Sequence, residues 1–186
     1  MTRVPARLEK KSCVLIVVDV QERFRALIDG MDGVIRTCGR LMRFCDRLDI
    51  PVIVTEQYPQ ALGRTVPELA SLAPGAAPFE KLTFSCAGDR RFGARLQVMG
   101  RPQVILCGIE AHVCVYQTAL DLLGQERQVA VAADAVSSRL PANRDLGLTR
   151  MRDLGAQVMP AEMIMFEILR EAGTADFKAV ADLLKG

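Results

Sequence analysis

The sequence predicts an α/β fold, a mainly parallel β-sheet with helices on both sides, three layers deep. Short continuous apolar runs such as Cys13–Val18 recur along the chain, as expected of strands buried on both faces. Between them lie longer stretches whose apolar residues repeat at helical spacing. The two patterns alternate, which is the mark of βα units and therefore of parallel pairing.

Cys13–Val18 is the first strand. Residues 33–48 follow as a helix, with Val34, Leu41, Phe44, Cys45 and Leu48 on one side. Pro51 opens a second strand over residues 52–55. From residue 56 to residue 100 the pattern is irregular. Pro59, Gly63, Pro67, Pro74, Gly75 and Pro78 punctuate it, so loops and short helices are expected there. A connection of that length tends to carry function. Within it, residues 79–84 read as a short strand or extended segment, and Arg90–Met99 as a helix.

The second half is more regular. Residues 104–109 form a third buried strand, and a helix over residues 112–123 is stopped by Gly124. Residues 129–132 are a fourth strand. Pro141 suits the first turn of the next helix, which Gly155 closes. Gln157–Met159 is a fifth strand and residues 162–170 another helix. Thr174 caps a last helix, whose apolar face is Phe177, Val180, Ala181 and Leu184. No repeat, low-complexity tract or linker interrupts the 186 residues, which are read as a single domain spanning 1–186.

Composition narrows the function classes. Half the residues are hydrophobic and a quarter charged, which excludes a disordered chain. The net charge of +2 is spread along the length, so neither nucleic acid nor an anionic membrane is an expected partner. The apolar run at residues 14–18 is too short for a signal peptide and meets Asp19 at once; a cytoplasmic location is expected. Six cysteines, at 13, 38, 45, 86, 107 and 114, show no CxxC and no regular interval, so no disulfide framework is expected. His112 is the single histidine. It would have to serve as base in any Ser-His-Asp site, and the chain offers no spaced ligand set for a metal.

Ligands of an open parallel sheet bind outside the carboxyl ends of the strands. Asp19 follows the first strand, residues 110–114 follow the third, and Lys81 lies on the long connection. An aspartate at the end of an apolar strand needs compensation for burial. Asp19 fits either a turn cap or a reactive group, and Gln21 and Phe24 beside it either line a pocket or close the turn. Cys114 would sit in the first turn of its helix. There the unpaired N–H groups and the helix dipole can lower a thiol from a pKa of about 8.5 to between ~3.5 and ~7.5. The same N–H groups can hold an oxyanion. A buried, inert cysteine is the other reading, and it is preferred for the remaining five. Lys81 matters if it arrives beside Asp19 and Cys114, where an ammonium would stabilise both anions.

Taken together, the segments Val17-Val18-Asp19-Val20-Gln21-Glu22-Arg23-Phe24, Phe79-Glu80-Lys81 and Cys107-Gly108-Ile109-Glu110-Ala111-His112-Val113-Cys114-Val115 resemble the isochorismatase-like cysteine hydrolases, a superfamily that includes nicotinamidases. Residues 133–139 and 162–167 also look like it, and the ordered match covers roughly residues 12–170. The resemblance implies a three-layer Rossmann-like fold and a catalytic triad of Asp19, Lys81 and Cys114. It also implies a non-proline cis peptide at Ile109–Glu110, with an oxyanion hole from the N–H groups of Glu110 and Cys114. In the implied reaction Asp19 takes the thiol proton, Cys114 attacks a carbonyl carbon, and water then releases the acyl group.

Departures from better-known members narrow the substrate. Nicotinamidases carry a histidine-rich metal site after the second strand, where this chain reads Glu56-Gln57-Tyr58-Pro59-Gln60. Isochorismatases of the siderophore type generally lack the nucleophilic cysteine. The run Thr55-Glu56-Gln57-Tyr58-Pro59 looks most like the isochorismatase domain-containing subgroup, which gives no secure substrate. Phe24, Gln57, Tyr58, Phe84 and His112 are candidate pocket residues. The expectation is a cofactor-independent, metal-free hydrolase of a small amide or related carbonyl compound, self-associating as such proteins usually do. A silent binding or scaffold protein, or a redox thiol using Cys114 with Cys107, are the alternatives.

Overall fold

The computed structural model describes residues 6–73 and 77–184; Pro74 and Gly75, two of the expected loop markers, lie outside them. Six strands form one sheet: β1 (Cys13–Val18), β2 (Val52–Gln57), β3 (Phe79–Lys81), β4 (Gln103–Ile109), β5 (Gln128–Ser137) and β6 (Gln157–Met159). Their order is β3-β2-β1-β4-β5-β6 and every pairing is parallel. The helices are α1 (Met31–Arg47), α2 (Pro59–Leu62), α3 (Pro67–Ala70), α4 (Arg90–Met99), α5 (Tyr116–Gly124), α6 (Pro141–Asp153), α7 (Ala161–Leu169) and α8 (Ala175–Val180). The expected α/β layering is the one observed.

Strand β1 shows why. All six of its side chains are fully buried, and they divide by the period of two. Cys13, Leu15 and Val17 join one core with α1, α7 and the end of α8. Val14, Ile16 and Val18 join the other, under α4, α5 and α6. Each such aliphatic residue contributes about 1.5–3 kcal/mol on burial. A sheet covered on both faces leaves only its strand ends open. The strand order reverses direction between β1 and β4, and the crevice outside their carboxyl ends is the natural ligand position.

Three elements depart from expectation. The extended segment after residue 78 is a true edge strand, β3, only three residues long and so too short for any periodicity to register. Strand β5 runs to Ser137 rather than stopping at residue 132. Its register against β4 slips between Leu106 and Gly108, and Asp134 leaves the ladder to accept the N–H of Ala161 at the start of α7 (2.7 Å). The helix expected from residue 112 begins with a π-helical turn, Ala111–Val115, before α5. Its wide bond runs from Val115 N–H to the Glu110 carbonyl (3.2 Å), five residues back.

Beneath the crevice, β1 and β4 come unusually close. Gly108 has φ +111°, and a Cβ there would lie 2.1 Å from the Val18 carbonyl oxygen. Only glycine allows this approach, which brings residue 19 and residues 109–114 together.

Candidate active site

Asp19 leaves β1 with φ +52°, in the left-handed region, and its carboxyl group is buried. Its N–H donates to Thr55 Oγ1 (3.3 Å), and Thr55 Oγ1 donates to Asp19 Oδ1 (2.7 Å). Lys81 arrives from the far side. It ends β3, where it pairs with Gln57 of β2, and its side chain reaches back to Asp19 Oδ2 at 2.7 Å. The residue is only 2 % exposed. Its three N–H bonds meet four acceptors: Asp19 Oδ2, Gln57 Oε1 (2.9 Å), and the carbonyls of Thr83 and Phe84 (3.1 Å each). Burial works against the ammonium. Asp19 first, then Cys86 and Cys114, more than offset this and hold the Lys81 pKa above the usual lysine value.

Cys114 occupies the π-helical turn and is 7 % exposed. Its thiol feels the charges of Asp19 and Lys81, and Cys86 lies close by. Burial, followed by the Asp19 charge, pushes this thiol well above its ordinary value, and Lys81 opposes the rise without cancelling it. The expectation of a thiolate stabilised in the first turn of an α-helix is therefore corrected. The sulfur sits in a wide turn facing a carboxylate, and at neutral pH it keeps its proton. Asp19 is the carboxylate whose charge acts on it.

The peptide bond between Ile109 and Glu110 is cis. The Glu110 carbonyl accepts from Val113 and Val115, and its carboxylate accepts the Arg139 backbone N–H (3.0 Å) and Nε (3.1 Å). His112 contacts Ser138 Oγ through Nδ1 (2.9 Å). A Cβ at Gly147 would lie 3.0 Å from the His112 Cα, so α6 packs directly on the turn that carries Cys114.

Asp19, Lys81 and Cys114 thus converge. The remaining candidates divide. Gln57 binds Lys81 through Oε1, while its Nε2 donates to the Leu82 carbonyl (2.8 Å). Gln21, fully buried, closes the turn by bonding the Gln57 backbone and the Gly63 carbonyl. Phe24 packs half-buried against the α1 core. Phe84 is exposed, and its carbonyl serves Lys81. Tyr58 lines a separate cleft of about 420 Å³ with Glu80, Lys81, Leu82, Asp89 and Arg91; that cleft contains neither Asp19 nor Cys114. Sequence reasoning missed Thr55 and Cys86 as neighbours of Asp19. The signal for Thr55 was a hydroxyl at the end of a buried strand. Cys86, buried in the loop after β3, offered none. Cys107 belongs to the core on the opposite sheet face from Cys114, so it is not placed to pair with it.

Residues 13–163 match the isochorismatase domain. The chain belongs to the isochorismatase family. Among relatives of this isochorismatase-family chain, isochorismatase domain-containing protein 2 of Danio rerio is 42 % identical over 179 residues, covering 96 % of this chain and 89 % of that one. The solved MAR1 ribonuclease of Caenorhabditis elegans superposes with a TM-score of 0.92 at 37 % identity, over 97 % of this chain and 93 % of the other. The YcaC product of Escherichia coli, described as an octameric hydrolase of unknown specificity, gives 0.88 at 25 % identity, over 98 % and 91 %. The ribonuclease and the octameric hydrolase share the fold of this chain. Among the described residues no three His, Cys, Asp or Glu side chains gather as a metal-ligand set, and no helix is long and apolar enough to cross a membrane.

Proposed function

We propose that this isochorismatase-family chain is a cysteine-dependent hydrolase that cleaves a small amide or related carbonyl compound through a covalent Cys114 intermediate. The observation that carries the reading is one carboxylate, Asp19, held between the Lys81 ammonium and the Cys114 thiol. As the Cys114 sulfur attacks the carbonyl carbon, its proton passes to Asp19 and the carbonyl π electrons move onto oxygen. The Glu110 and Cys114 N–H groups stabilise that oxyanion. The intermediate collapses, the C–N bond breaks, and Asp19 returns the proton to the departing amine. Water, giving its proton to Asp19, then attacks the thioester; the acid leaves and the proton goes back to sulfur. Asp19 is base and acid in turn, with the Lys81 ammonium paired to it at 2.7 Å.

No step calls for a cofactor or a metal. Phe24, Phe84 and His112 form the wall against which the substrate lies, and Gln57 acts through Lys81. One folded domain in the cytoplasm, assembling into a closed oligomer as the octameric E. coli relative does, completes the reading. A panel of small amides tests it, with wild type compared against Cys114→Ala and the intact mass followed during turnover. The expected result is ammonia or amine release with wild type only, accompanied by a transient mass increase that maps to Cys114. Equal inertness of both proteins across the panel would favour the silent binding protein instead.

A further inference from the structure

Thr55 is fully buried within β2, two residues before its end, and has a single hydroxyl hydrogen. Two donors point at its oxygen. One is the Asp19 N–H at 3.3 Å; the other is the Cys86 thiol, with sulfur 3.9 Å away. Burial, with the Asp19 charge next, pushes the Cys86 pKa up to about 11, so near neutral pH this sulfur carries a hydrogen to donate, whereas the Asp19 carboxylate can only accept. Both incoming bonds use the lone pairs of Thr55 Oγ1. Its own hydrogen is then committed outward, along the short contact to Asp19 Oδ1 (2.7 Å). Cys86 is in turn fixed by its backbone N–H, which donates to Thr118 Oγ1 of α5 (2.9 Å).

Lys81 occupies only Oδ2 of Asp19. A carboxylate held at one oxygen still rotates about its Cβ–Cγ bond and presents either face to the sulfur. Held at both, it has one orientation. We propose that Thr55 is the positioning residue of this site: its hydroxyl, oriented by Cys86 and the Asp19 backbone, locks the Asp19 carboxylate so that a free lone pair meets the Cys114 thiol. The inference rests on the reading of Asp19 as the base. The charged and titratable groups facing Asp19 are Lys81, Cys86 and Cys114, from β3, the loop after it and the π-helical turn. None of them bonds Oδ1 in place of Thr55.

The test is the second-order rate of Cys114 alkylation by iodoacetamide between pH 5 and 9, with the labelled residue located by mass. The proteins are wild type, Thr55→Val, Thr55→Ser, Asp19→Asn and the Asp19→Asn/Thr55→Val double variant. Thr55→Val is expected to slow the reaction by about tenfold, the size set by one hydrogen bond to a charged group. Thr55→Ser restores the rate, and the double variant is no slower than Asp19→Asn alone. Thr55→Ala makes the same deletion with less volume should the valine variant not fold. A Thr55→Val or Thr55→Ala protein that keeps the wild-type rate, while Asp19→Asn is slowed, overturns the role of Thr55 and leaves the base intact. Asp19→Asn reacting as fast as wild type overturns the base assignment, and this inference with it.

Discussion

Asp19 and Lys81 are expensive side chains to bury, and they tolerate burial only together. The ion pair lies at 2.7 Å, with Asp19 1 % and Lys81 2 % exposed. Removing one partner of such a pair leaves an uncompensated charge, which costs about 3–5 kcal/mol. Lys81→Met is therefore expected to lower the urea midpoint by that equivalent, and Asp19→Asn added to it to recover part of the loss. The same Lys81→Met change should slow Cys114 alkylation, because Lys81 is the one neighbour that pulls this thiol pKa down. A wild-type alkylation rate in a folded Lys81→Met protein would contradict that. These three residues were legible in the sequence because each stands beside a strand end and belongs to an ordered set of motifs. Their protonation was not. Helix position argued for a thiolate, whereas burial and an adjacent carboxylate, both products of tertiary packing, decide for the thiol. Thr55 and Cys86 were hidden for the same reason, since nothing local distinguishes a hydroxyl in the core from one bonded to the Asp19 carboxylate.

At the scale of elements, the alternation of apolar runs with helical stretches was enough to place β1, β4 and the helices that follow them. What escaped was every feature made by contact between elements. The three-residue β3 exists because Gln57 and its neighbours offer an edge, and the β5 bulge exists because Asp134 is drawn to the start of α7. The close approach of β1 and β4 at Gly108 is of this kind too, and it has a measurable consequence. Gly108→Ala places a methyl group 2.1 Å from the Val18 carbonyl oxygen and demands φ +111° of a residue with a side chain. Overpacking and backbone strain together are expected to cost at least about 3 kcal/mol. Gly100→Ala is the control, because Gly100 also has positive φ but a Cβ there meets nothing within 4 Å. It should cost only about 1 kcal/mol. Urea titrations of the two variants separate strain from collision; equal losses would mean that the sheet relaxes around residue 108.

The whole molecule carries its six cysteines as free, buried thiols, divided between the two cores. Burial comes first among the causes that raise Cys13 and Cys86, each up to about 11, and it lifts Cys45 and Cys114 further. Cys107 is also raised, there by the neighbouring Cys38 thiol ahead of burial. The sign of the linkage follows. Between the ordinary thiol value of about 8.5 and about 11, the unfolded chain has lost these protons while the folded chain keeps them. The unfolded state then binds fewer protons, so stability falls as pH rises, by up to about 1.4 kcal/mol per pH unit for each such thiol. Lys81 acts in the same direction, its raised value adding stability that is lost only at still higher pH. The urea midpoint is therefore expected to hold near neutral pH and to drop steeply from about pH 9. Cys13→Ala or Cys45→Ala should flatten that drop, although each lowers the neutral-pH plateau by leaving a cavity. A midpoint that stays level to pH 11 would show that the thiols titrate alike in both states, and the cores would then not be closed to solvent in the way the burial of β1 requires.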